Sequence, residues 1–281
     1  MQPTQPEIGQ QRREAVQQAR PEIEKQRKDA EQQAERTLDK EAIAAVDETK
    51  NALKAIEQDK PDEAIAAIER ATGKISVLLA RNPATALLPV REEVEVIDGA
   101  PEDLQAIKDL QKVLERSVSD KDYPMARVVL LGLTSEIRAR TYDLPLATYP
   151  AALKEAARLL DEKKTKEAGV VLQTALNTLV VIDRVAPLPL VLAQTAIEQA
   201  EALRDKDRDG ALKLLATARH ELERAKALGY AGNDPEYDGL NKAISDLEAQ
   251  VKGKGDTSGA FARLKERLAG FFKRQSESER H

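Results

Sequence analysis

Two histidines, no cysteine and 49 acidic side chains are what this 281-residue chain offers to catalysis or metal binding. His220-Glu221 opens like a zinc-peptidase helix, but Arg224 stands where the second histidine ligand is needed on the same helix face. His220 therefore reads as an ordinary helix-surface residue. Thr72-Gly73-Lys74 has the end of a phosphate-binding loop, yet Ile68 occupies the place of its first glycine and the segment follows a helix instead of a strand. Gly253-Lys254-Gly255 has no strand before it and reads as a linker. The carboxylates of Arg91-Glu92-Glu93-Val94-Glu95 sit beside apolar residues in a loop or short strand, a weak basis for an acid/base pair. Without a thiol there is no disulfide, thiolate nucleophile or cysteine-held metal. The residues point to a protein that is not an enzyme, and no catalytic, metal or cofactor-binding residue is assigned.

The elements that would carry these residues are helices. Ala, Leu, Glu, Lys, Arg and Gln dominate a composition that is 33% charged and 3% aromatic, which favours helix over strand. A short pattern recurs: Ala64/Ile68/Ala71, Ala126/Leu130/Leu133, Ala168/Leu172/Ala175 and Ala211/Leu215/Ala218. Steps of four and three residues place each trio on one helical stripe facing a neighbour. Pro83, Pro145 and Pro187 follow the first three trios at a fixed offset of nineteen residues, and Tyr230 takes that place in the fourth. Polar turns at Asp59 to Asp62, Ser119 to Pro124, Glu162 to Lys166 and Asp205 to Asp209 divide each copy into two helices. The expected fold is all-α: about four helix pairs joined at prolines, forming one bundle or short solenoid.

The two ends differ from this body. Residues 1–41 read as a polar helical arm in which Val16, Ile23 and Ala30 recur every seven residues; it is either a solvated, frayed helix or a coiled-coil arm, with a break at Pro21. Residues 42–252 form the helical domain, 253–259 a Gly-rich linker, and 260–281 a basic amphipathic helix and tail. In that last helix Phe261, Leu264, Leu268 and Phe271, with Phe272 beside them, make an apolar stripe among Arg263, Lys265, Arg267, Lys273 and Arg274. The stripe either folds back on the chain's own body or a second subunit, or meets an anionic membrane surface or a partner's groove.

A net charge of −5 with interspersed signs gives no reason to expect nucleic-acid binding. The longest apolar runs fall short of the roughly 20 residues that a bilayer requires. Met1-Gln2-Pro3-Thr4 lacks the basic and apolar regions of a secretory signal.

The connections carry a family resemblance. Leu78 to Pro83, Leu87-Leu88-Pro89-Val90, Ser135-Glu136-Ile137, Leu144 to Ala152, Ala175 to Val181 and Pro187-Leu188-Pro189-Leu190 together resemble the YfdX family of bacterial proteins, over roughly residues 42 to 228. The resemblance implies an all-helical fold, export to the periplasm with a leader removed, association with acid and heat stress, and chaperone-like activity with homo-oligomerisation; a cytoplasmic location is the alternative. It brings no catalytic residues and no cofactor.

Two functions follow as expectations. One is a non-enzymatic stress protein that holds unfolding clients; the other is a helical-repeat scaffold for one protein partner or small ligand. The Leu144 to Pro150 signature is either a structural joint or, with Tyr142, Leu144, Leu146, Tyr149, Leu188 and Leu190, the lining of a client or ligand groove.

Overall fold

A computed structural model describes residues 5–81, 83–230, 234–253 and 257–278. The chain is mostly helical, 72% with eleven helices among the described residues, but it also forms a three-stranded antiparallel sheet, so the all-α expectation is corrected. The order is α1 (Gln5–Thr37), α2 (Lys40–Glu57), α3 (Pro61–Arg81), β1 (Leu87–Asp98), α4 (Leu104–Ser119), α5 (Tyr123–Leu131), β2 (Ser135–Pro145), α6 (Tyr149–Asp161) and α7 (Thr165–Asn177). β3 (Val180–Pro187), α8 (Leu188–Leu203), α9 (Arg208–Ala227), α10 (Glu236–Lys252) and α11 (Ser258–Ser278) complete it.

Each of the first three helix pairs is followed by a strand, and the strands pair in the order β1-β2-β3. Pro83 precedes β1, while Pro145 and Pro187 end β2 and β3, so these prolines bound strands and are not direct helix-to-helix joints. A proline at a strand's last position costs no ladder bond inside it. After the fourth pair, which has Tyr230 in the proline's place, the next element among the described residues is α10, not a strand. The signal for β1 is its alternation: Leu88 and Val90 are buried while Arg91 and Glu93 are exposed.

The chain divides into two units that interleave in sequence, changing unit inside every strand. Unit A contains Glu95–Arg138 and everything from Arg184 onward, with the start of α1; unit B contains Ala30–Val94 and Ala139–Asp183. Unit B holds α2, α3, α6 and α7 around a core built from Ala64, Ile68, Ala71, Ala168, Leu172 and Ala175, the trios read from the sequence. Unit A gathers α8 to α11 around Ala211, Leu215 and Ala218, joined by Leu240, Ile244, Phe261 and Phe271. α1 runs unbroken through Pro21, against the expected break. Ile23 and Ala30 are half-buried, and the side chain of Val16 lies outside the described residues, as do residues 254–256 of the expected linker.

The turns inside the first three pairs share one backbone. Asp59, Lys121 and Lys163 all have φ of 57–59°, and the residue after each donates its N–H to a carbonyl five positions back, at 2.8–2.9 Å. This left-handed closure of a helix suits glycine, whereas a side chain there costs roughly 1–2 kcal/mol against about 0.5–1 kcal/mol of extra chain entropy for glycine. Lys163→Gly is therefore expected to raise the unfolding free energy by about 0.5 kcal/mol in urea titration; a loss of stability would contradict the strain.

Glu92 gives β1 a pH dependence. Burial, followed by the charges of Glu35 and Glu31, pushes its carboxyl above the usual carboxylate range. Its charged form is thus penalised in the folded chain: the penalty is full above the raised value, fades as pH falls, and vanishes below the ordinary value of 4.5. Glu92→Gln is expected to melt higher than the natural chain at pH 7, on the order of 2 °C. Thermal scans should show that gap closing towards pH 4, and an equal gap at both pH values would refute this reading.

Candidate functional site

Five of the six residues read as a groove are buried. Leu144, Leu146 and Tyr149 are 0–3% exposed and belong to the core of unit B; Leu188 and Leu190, at 0–2%, are buried residues of unit A. Of the six, only Tyr142 is half-exposed. Burial also pushes the Tyr149 hydroxyl up to about 12. The apolar stripe of α11 is likewise spent internally. Phe261, Leu264, Leu268 and Phe271 are buried in the core of unit A, with Phe272 packed against it. Lys265, Arg267 and Arg274 pair with Glu201, Glu236 and Asp234 of the same unit. The helix folds back on its own unit, and the face proposed for a membrane or partner is occupied.

The surface left bare lies elsewhere in unit A, on the α4–α5 hairpin. Seven of the thirteen exposed large hydrophobic residues among the described positions fall there: Val113, Val118, Tyr123, Met125, Val128, Leu130 and Leu131. Val128 and Leu131, 64% and 63% exposed, are three residues apart and share the outer face of α5. Leu130, read from the sequence as a core residue of the second trio, is 52% exposed. α5 buries only Ala126 and Val129 and carries a single charge, Arg127. A mostly apolar helix normally signals a buried segment; this one is short and exposed, so the apolar run Val128 to Leu131 is the legible signal and burial the wrong inference from it.

This hairpin is held at both ends by polar bonds that are part-buried or buried. At its entrance, Gly99 and Ala100 donate their N–H groups to Thr134 O, and a Cβ on Gly99 would lie 2.8 Å from Leu131 O, which only glycine avoids. Arg224 of α9, wholly buried, donates to Pro101 O at 2.9 Å and Ala100 O at 2.8 Å, and pairs with Asp98 and Glu221. His220 is not a free surface residue: its Nε2 lies 3.1 Å from Glu102 O. Gln111 of α4 donates to Ala227 O at 2.6 Å. At the exit, Tyr230 accepts from Ser135 N and donates to Glu136, while Ser135 Oγ donates to Asp98. Burial raises the Tyr230 phenol well above its ordinary range, so it remains a donor at any physiological pH. The residue in the fourth proline's place is therefore a clamp on β2. His220, read from the sequence as an ordinary helix-surface residue, and its neighbours Glu221 and Arg224 are structural anchors.

Unit B contains a cavity of about 430 Å³ lined from α2, β1, β2, α7 and β3, with Tyr142 in its wall. Its Arg91 guanidinium sits 3.8 Å over the Tyr142 ring, and the Tyr142 hydroxyl donates to Glu93 at 3.0 Å. A second hollow of about 360 Å³ lies beside Tyr149 and Val170.

Helix pairs that alternate with the strands of a small sheet define a mostly helical protein, and among the described residues no group of three or more His, Cys, Asp and Glu is placed to hold a metal ion. No described helix is long and apolar enough to cross a membrane. The chain belongs to the YfdX family: the model of the YfdX protein family matches residues 45–185. A solved structure of Salmonella Typhi YfdX is similar at 15% identity with a TM-score of 0.36, covering 54% of this chain and 93% of that one. The comparison with curated proteins gave no match.

Proposed function

We propose that this chain is a non-enzymatic stress-response protein that holds unfolding clients on the apolar face of its α4–α5 hairpin. The observation that carries the reading is the concentration of exposed Val, Leu, Met and Tyr side chains on one anchored hairpin, when the corresponding trios of the other pairs are buried. Unfolding chains expose apolar segments, and burying such a segment against this face is worth about 25 cal/mol per Å² removed from water. Lys112, Arg116 and Arg127 alternate with Asp109, Glu115 and Asp122 along the hairpin, which keeps the face soluble without selecting one client charge. Membership of the family, with the periplasmic and acid- or heat-stress setting that the resemblance implies, is in keeping with this role. Self-association through the same face would store it between stresses.

Light scattering of an aggregating client tests the reading at neutral and acid pH. Suppression at stoichiometric protein is expected; none at either pH would overturn it.

A further inference from the structure

The cavity of unit B has the features of a small-molecule site that is independent of the client face. Its floor is aliphatic, from Ile43, Val46, Val90, Leu176, Leu179 and Val181, and its size lies within the usual range for ligand pockets. The Tyr142 ring is fixed as one wall twice over, by its hydroxyl bond to Glu93 and by the Arg91 guanidinium stacked on its face. Two cations reach the same cavity, Lys50 from α2 and Arg91 from β1, and both remain more than half exposed to solvent. Each already has a carboxylate beside it: Asp47 lies 2.9 Å from Lys50, and Glu93 lies 3.4 Å from Arg91. Asn177, also in the lining, accepts from Gln173 through its Oδ1, which leaves its amide nitrogen to donate.

We propose that this cavity binds a small amphipathic monocarboxylate, its apolar part on the aliphatic floor and Tyr142, its head group on Arg91 and Lys50 at the rim. A single negative charge exchanges for Asp47 or Glu93 at exposed ion pairs that are individually weak. A dianion such as a phosphate monoester meets both carboxylates at once and is disfavoured, and a neutral amide head accepts from the guanidinium without the charge that strengthens the bond.

Methyl and amide NMR titration of the full chain with octanoate, octyl phosphate and octanamide tests this. Octanoate is expected to shift the methyls of Ile43, Val90 and Leu179 in a saturable way, and the other two probes to bind at least tenfold more weakly. Arg91→Gln and, as a second exposed variant, Lys50→Gln should each weaken octanoate severalfold to tenfold. The double variant Val128→Lys/Leu131→Lys, on the α5 face, should bind octanoate like the natural chain. Non-saturable shifts, shifts centred on α5, equal binding of the three probes, or full affinity in both rim variants would overturn the proposal. None of these outcomes bears on client holding.

Discussion

Replacing Arg224 with methionine is expected to lower the unfolding free energy of unit A by about 3–5 kcal/mol, the largest single effect in the chain. The side chain is 0% exposed, so methionine fills much of its volume while removing every polar contact. Those contacts are bonds to Pro101 O at 2.9 Å and Ala100 O at 2.8 Å, and charge pairs with Asp98 at 3.2 Å and Glu221 at 3.3 Å. Glu221 is itself 1% exposed, and losing this cation raises the cost of its buried charge. Urea unfolding measures the loss, and a change below about 1 kcal/mol would show that the network is not holding the unit. Adding Glu221→Leu should restore part of the stability, because two apolar groups replace a broken ion pair. Since Arg224 also fixes residues 98–101 at the entrance to α4, amide exchange in α4 and α5 should rise more than in α10.

That network is hard to read from the sequence, whereas much of the helical framework is not. The trios at Ala64, Ala168 and Ala211 are legible because helical spacing alone dictates which side chains share a face, and they are buried. The strands are masked because prolines such as Pro145 and Pro187 suit a helix joint as well as a strand end, although the alternation in Glu93-Val94-Glu95-Val96 is visible. Arg224 bonds to carbonyls more than 120 positions away in the sequence, and no local pattern encodes such a partner. The groove residues fail for a different reason. Leu144 and Tyr149 are distinctive by type and spacing, but type does not separate a core residue from an exposed one. The α11 stripe shows the converse, since folding back on its own unit is one of the two readings its amphipathic pattern allows.

The second large effect concerns the hairpin face. Val128→Lys with Leu131→Lys places two charges where the natural side chains are 64% and 63% exposed. The fold should hardly notice, with a change within about 0.5 kcal/mol in urea. Client holding should suffer: each side chain is worth about 1.5–3 kcal/mol when fully covered, and about 1.4 kcal/mol is a factor of ten in affinity. Partial coverage by a loosely held client still leaves at least a tenfold loss for the pair, sharpened by the cost of desolvating two ammonium groups. Val170→Lys is the matched control, since Val170 is 67% exposed but belongs to α7 of unit B and is no part of the hairpin.

The most direct test is the concentration of protein that halves client aggregation, measured by light scattering for the natural chain, Val128→Lys/Leu131→Lys and Val170→Lys under one stress condition. If the α4–α5 face holds clients, the hairpin variant needs at least tenfold more protein and the α7 variant needs the same amount as the natural chain. Equal potency of the hairpin variant and the natural chain, with both folded, would contradict client holding on this face.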